Sequence, residues 1–244
     1  IAFPGGTATD KGCVDLPNVV IDKTAPATAT PVAGAPGEFT TTYTVTVSNR
    51  GVATAYNLTD AFDFSSTVTV VSGSATVNTG GGATAVVGYD GVANTTLATA
   101  RAIAAGPPAA PTVHTYLVTT RVKLDGNEST QDLTCRGSDP DNGLYNKATL
   151  TVAGKPASDD ACSNVPTTSV SLTKSVVGAA GTLPWSFSFA ISPVPNGQTS
   201  PTTINGMGSM VSAPISWTNL IPGLTYTVSE TSVSGWGQVL TCTG

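Results

Sequence analysis

The sequence predicts an all-β fold, arranged as tandem β-sandwiches. Thr, Ala, Val, Gly, Ser and Pro dominate the 244 residues. Thr and Val are branched at Cβ, which suits a pleated strand and costs rotamer freedom in a helix. The 26 Gly and 17 Pro residues supply turns between many short strands. Apolar and polar residues alternate with a period of two in segment after segment. No 3.6-residue periodicity survives the Gly, Pro and Thr content, so no helix is expected.

In chain order, Val19, Ile21 and Lys23 share one parity. Phe39, Tyr43, Val45 and Val47 share one in FTTTYTVTVSN, and Tyr56, Leu58 and Phe62 in AYNLTDAF. Residues 65–112, rich in Gly, Ala and Pro, leave room for extra strands or an elaborated loop. Tyr116, Val118, Val122 and Leu124 then alternate, followed by Ala148, Leu150 and Val152. Each run reads as a half-buried strand of a sandwich, bounded by turn residues.

Residues 10–23 (DKGCVDLPNVVIDK) resemble residues 160–174 (DACSNVPTTSVSLTK). Each has Cys, then Pro four residues on, then an alternating stretch ending in Lys. This reads as a repeat junction. Residues 1–17 are then the tail of a preceding repeat or a linker. Residues 18–166 form one sandwich, and residues 167–244 a second, incomplete at its C-terminal side.

Composition excludes several functions. The net charge of −5 and scattered basic residues argue against nucleic acid, which requires clustered Lys and Arg. No apolar run approaches the ~20 residues of a membrane span. A hydrolytic triad is not supported: His114 is the sole histidine, no G-x-S-x-G serine accompanies it, and its place before TYLVTTRV suggests exposure. Cys13, Cys135, Cys162 and Cys242 form no C-x-x-C pair, so disulfides and an oxidising, extracellular compartment are expected rather than zinc. Two pairings fit. Cys135–Cys162 closes a short loop around the NKATL strand. Alternatively, Cys13–Cys135 and Cys162–Cys242 close each unit on itself. The short loop favours Cys135–Cys162.

Parity exposes chemistry. Lys23 follows Val19 and Ile21 onto the inner face, Asp60 lies among Tyr56, Leu58 and Phe62, and Asn146 leads into Ala148, Leu150 and Val152. A lysine, a carboxylate and a side-chain amide thus point into one core. A desolvated lysine amine becomes neutral and nucleophilic. A buried carboxylic acid can polarise an amide carbonyl and relay protons. The amine can then attack the asparagine amide carbon and expel ammonia. The resulting isopeptide bond ties the first strand of the sandwich to the last. The competing reading is an ordinary buried ion pair with a hydrogen-bonded asparagine.

These residues carry a resemblance. YTVTVSNRGVATAYNLTDAF is similar to the conserved repeat of bacterial surface proteins, and LYNKATLTV looks like that repeat's closing strand. The likeness covers most of residues 18–152. It implies an immunoglobulin-like sandwich with Lys23, Asp60 and Asn146 as an isopeptide triad; the long 65–112 stretch departs from it. The second unit resembles the Cna-B-type, prealbumin-like sandwich through VSLTKSV, WSFSFAI, LIPGLTYTVSET and GW. That resemblance implies a lysine at Lys174 and a glutamate at Glu230, with the acceptor on a strand outside the chain.

Three weaker signals remain. Asp139, Asp141 and Asn142 in DPDNG offer oxygen ligands for calcium, though an Asx-rich turn explains them more simply. No other cofactor is implied. Trp185, Trp217 and Trp236 could form a carbohydrate platform, with core or edge packing the simpler reading. The N-x-S/T triplets at Asn57, Asn94 and Asn127 read as chance. The sequence therefore predicts a stalk or scaffold of a secreted or surface-displayed bacterial adhesin-like protein, partnered by neighbouring repeats or identical subunits. The alternatives are a protomer of an extracellular filament or sheath, and a glycan- or protein-binding module. An enzyme with turnover is not expected.

Overall fold

The computed structural model describes residues 16–239 and 241. It is built almost entirely of strands. The first unit contains β1 (Val19–Thr24), β2 (Thr30–Pro31), β3 (Glu38–Asn49), β4 (Thr54–Phe62), β5 (Thr69–Asn78), β6 (Ala83–Ala85), β7 (Thr96–Ile103), β8 (Thr112–Lys123), β9 (Leu144–Val152) and β10 (Lys155–Ser163). The second contains β11 (Thr168–Leu172), β12 (Ser175–Val176), β13 (Pro184–Ser192), β14 (Thr202–Met207), β15 (Met210–Val211), β16 (Ile215–Leu220) and β17 (Thr227–Glu230).

In the first unit one sheet runs β1-β3-β8-β5-β6, with β2 added on β3, and the facing sheet runs β10-β9-β4-β7. Tyr43, Val45 and Val47 of β3 and Val118 of β8 pack against Leu58 of β4 and Leu150 of β9. The alternation read from the sequence is therefore the burial pattern of a sandwich. The 65–112 stretch is not a loop: it contributes β5, β6 and β7.

One short helix corrects the expectation of none. α1 (Thr130–Leu133) is a single turn. Ser129 and Asp132 cap each other reciprocally, a local signal too brief for periodicity to register. The junction reading of residues 160–174 is corrected in part, because residues 160–163 are the end of β10 and pair with β9. This strand shows no alternating burial, since its outer face and sheet edge are both solvated.

His114 is buried, not exposed. Strand β8 begins earlier than expected, so His114 joins Tyr116 and Val118 on the inner face. Its Nδ1 lies 2.8 Å from the Tyr56 hydroxyl, which in turn meets the Tyr116 hydroxyl at 2.7 Å. Burial, then the nearby Arg101 guanidinium, pushes the imidazole below the ordinary histidine range. The unfolded chain thus binds a proton that the folded chain resists, and stability falls as pH drops below about 6.5. A denaturant titration at stepped pH should show this slope, and His114→Gln should flatten it.

The second unit has its own core. Trp185, Phe187, Phe189, Ile191 and Trp217 are buried there, and Trp236 packs edge-on against Phe187 with ring centroids 5.5 Å apart. The three tryptophans therefore serve packing. The loop after β16 seats against the first unit. Ile221 is 1% exposed and shares a cluster with Phe39, Leu124 and Leu133, while Leu224 packs against the same cluster. Asn219 Nδ2 donates to Thr130 Oγ1 at 2.6 Å, and Asn196 Nδ2 donates to the Asn127 carbonyl at 2.7 Å.

The chain meets the first sandwich at opposite poles. Leu16 and Asn18 lie against Gly51, where a side chain would strike their backbone. At the far end of β3, Gly37 meets Leu224 of the second unit. Strand β3 spans the distance between these poles.

Candidate functional site

Lys23, Asp60 and Asn146 come from three strands in the two sheets. Lys23 is near the end of β1, whose backbone leans on the facing sheet through a 2.6 Å hydrogen bond from its own N–H to Asp159 Oδ2 of β10. Asp159 pairs with Ala148 of β9, and Ala148 pairs with Asp60 of β4. Asn146 lies two residues along β9, on the same face as Ala148. Asp60 and Asn146 are therefore diagonal cross-strand neighbours, with Lys23 held over the same row.

All three are buried. The side chains of Lys23 and Asp60 are completely inaccessible, and their Nζ and Oδ2 form an ion pair. Lys23 Nζ also lies 5.1 Å from the centroid of the Tyr43 ring. Burial pulls the lysine below its usual range, and Asp60 partly restores it. The ammonium is thus poorly solvated, and among the described residues Asp60 is the acceptor to which it can pass a proton.

Asn146 is 0% exposed, and neither its amide nitrogen nor its amide oxygen has a hydrogen-bond partner among the described residues. Leaving such a group unpaired costs about 1–3 kcal/mol. The sequence-based alternative of a hydrogen-bonded structural asparagine does not describe this side chain.

Tyr89 was missed by the sequence reading. Its hydroxyl donates to Asp60 Oδ1 at 2.9 Å, and the residue is 5% exposed. It is a lone aromatic between two turn glycines in a small-residue stretch, a signal easily mistaken for loop decoration.

The remaining candidates are dispersed. Lys174 Nζ pairs with Glu230 Oε1 at 2.6 Å and sits 4.2 Å from the Phe187 ring centroid, with both side chains partly exposed. Asp139, Asp141 and Asn142 share one turn, and no cluster of three or more His, Cys, Asp or Glu groups placed for a metal occurs among the described residues. Asn142 Nδ2 donates to the Pro140 carbonyl at 3.0 Å, tying the turn together.

Cys135 and Cys162 are bonded, with Cα atoms 5.8 Å apart. Gly143 lies beneath the bridge, where a Cβ would approach both sulfurs to about 3 Å. Cys13 and Cys242 lie outside the described residues. This bond closes the alternative in which each cysteine pairs across its own unit. With its ends 27 positions apart in sequence, reduction should cost about 3.5 kcal/mol of stability by the loop-entropy relation. Denaturant melts with and without reductant would measure it.

No family model and no curated protein matches the chain. Among solved structures it is similar to the pilus backbone RrgB from Streptococcus pneumoniae, at 14% identity and a TM-score of 0.29, covering 92% of this chain and 54% of that one. The full-length RrgB pilus protein gives 13% identity and a TM-score of 0.25, covering 92% and 39%. The chain thus spans about half the length of these structures, or less.

Proposed function

We propose that this chain is a structural spacer of an extracellular bacterial surface assembly, and that its first sandwich is locked by an isopeptide bond between Lys23 and Asn146. The observation that carries the reading is the fully buried, unpartnered amide of Asn146 beside a buried Lys–Asp pair. Lys23 Nζ passes a proton to Asp60 Oδ2 and attacks Asn146 Cγ as the neutral amine. The Asp60 acid gives that proton to the departing nitrogen and takes up the second proton that Lys23 Nζ sheds as it becomes the amide. One C–N bond forms, one breaks, and ammonia leaves. No oxidant or external group is required, and the reaction occurs once per chain.

The spacer role is supported by the placement of the chain at opposite poles of the sandwich and by the seating of Ile221 and Leu224 at the second pole. The Cys135–Cys162 bond supports an oxidising compartment. No helix among the described residues is long and apolar enough to cross a membrane.

Intact mass under reducing conditions tests the bond. Loss of about 17 Da, one ammonia from lysine attack, is expected in the natural chain. Lys23→Ala and Asn146→Ala should abolish it. A full-mass natural chain with native folding would rule the bond out.

A further inference from the structure

The stretch that departs from the surface-repeat pattern reaches into the buried site. After β6 the chain turns through residues 86–95 and lays Tyr89 against Asp60. The turn is held firmly. The backbone N–H groups of Asp60 and Phe62 donate to the carbonyls of Thr95 and Gly91, at 2.8 and 2.9 Å. Asp90 Oδ1 accepts from the N–H groups of Val92 and Asn94, at 2.8 and 2.9 Å. Asn94 Nδ2 closes the turn on the Gly88 carbonyl at 2.9 Å. Close approach is permitted by Gly73, where a Cβ would collide with the Asp90 carbonyl. Gly91, at φ +76°, lies beneath the Phe62 ring, where L side chains are disfavoured both sterically and conformationally.

These contacts give Asp60 two different oxygens. Oδ2 faces Lys23 Nζ, and Oδ1 accepts from the Tyr89 hydroxyl at 2.9 Å. Tyr43, whose ring faces Lys23, spends its hydroxyl on the Leu144 carbonyl at 2.7 Å. We propose that Tyr89 is a positioning residue for isopeptide formation: by occupying Oδ1 it assigns the transferred proton to Oδ2, the oxygen beside the nucleophile. This rests on the Lys23–Asn146 reading above. A proton on Oδ2 is taken from Lys23 and returned to the leaving nitrogen without the carboxyl having to rotate. With Oδ1 vacant, the proton can settle on either oxygen, and half of those placements face away from the reaction. Burial holds the Tyr89 phenol far above the ordinary tyrosine range, so it stays a donor throughout.

The test uses the full chain, recovered unfolded in urea, refolded by dilution between about pH 5 and pH 9 and quenched for intact mass. Tyr89→Phe should slow the mass loss about tenfold, the low end of what a positioned proton-transfer group contributes. It should also move the acid limb of the rate profile to higher pH, because the carboxylate has lost a donor and takes up the inhibiting proton more readily. Biosynthetic replacement of tyrosine by 3-fluorotyrosine keeps every hydroxyl and strengthens the donor. It should move the acid limb to lower pH in the natural chain and leave it unmoved in Tyr89→Phe. A Tyr89→Phe profile equal to the natural one, or uniformly slower with its shape unchanged, overturns the role. If Tyr89→Phe does not fold, the fluorotyrosine profile of the natural chain decides: an unmoved limb overturns the role. Absence of mass loss in the natural chain at every pH overturns the isopeptide reading itself.

Discussion

Asp60→Ala is expected to cost about 3–5 kcal/mol, the range for stranding one member of a buried ion pair. The comparison should be made in an Asn146→Ala background, so that loss of a covalent bond does not enter the difference. Lys23 Nζ is fully inaccessible, with Asp60 as its ion-pair partner. Without the carboxylate, the Tyr43 ring face at 5.1 Å is a weak substitute for an ammonium. The Tyr89 hydroxyl loses its acceptor as well. The deficit should shrink as pH rises. Burial lowers the folded lysine below its unfolded value, so the unfolded state binds the extra proton and alkalinity favours the folded state. Replacing both partners by apolar residues, Lys23→Met with Asp60→Leu, should recover most of the loss, since no charge remains to be buried. Urea midpoints for the three variants at neutral and alkaline pH measure this. A loss below about 1 kcal/mol for Asp60→Ala would match an exposed ion pair and contradict the burial.

That triad was legible because strand parity is a strict rule: a residue two positions from a core residue faces the core, whatever its chemistry. Lys23, Asp60 and Asn146 could be placed from Ile21, Leu58 and Ala148 alone. His114 obeyed the same rule and was misplaced only because the strand was started at Thr115, three residues too late. Strand β10 was not legible as a strand, since KPASDDACS has no buried face along most of its length. Tyr89 was out of reach for another reason. Its position is fixed by turn hydrogen bonds from Asp90 and Asn94 and by the space left at Gly73, and none of these is periodic. The seating of Ile221 was equally hidden. It depends on which apolar residues another unit leaves uncovered, a tertiary fact that local pattern does not contain. In the DPDNG turn the Asn142 amide tethers the backbone, a local role that composition alone does not announce.

The second large effect is mechanical. Load applied along the chain enters at Leu16, follows β1 to Lys23 and leaves after β10. Without the isopeptide bond, β1 can shear from β3 and the sandwich unravels. The Asn146→Ala chain, with its disulfide intact, should then release roughly 45 nm of contour length from residues 16–166, at about 3.6 Å per extended residue. Reduction should add roughly 9 nm, the loop shielded between Cys135 and Cys162. With the bond present, force passes from Lys23 directly to Asn146, and residues 24–134 carry none of it. From Asn146 two routes reach Cys162: forward through the β9–β10 hairpin, or backward to Cys135 and across the disulfide. Both must be extended together, so the shorter limits the stretch. The natural oxidised chain should therefore yield less than about 10 nm from the first sandwich before covalent bonds bear the load. Single-molecule stretching reads these lengths directly. Equal release from the natural and Asn146→Ala chains would show that force does not bypass the core. The proposed crosslink and the disulfide would be complementary for a physical reason. An isopeptide bond would protect the long central segment, and the disulfide would limit the terminal hairpin left exposed to load.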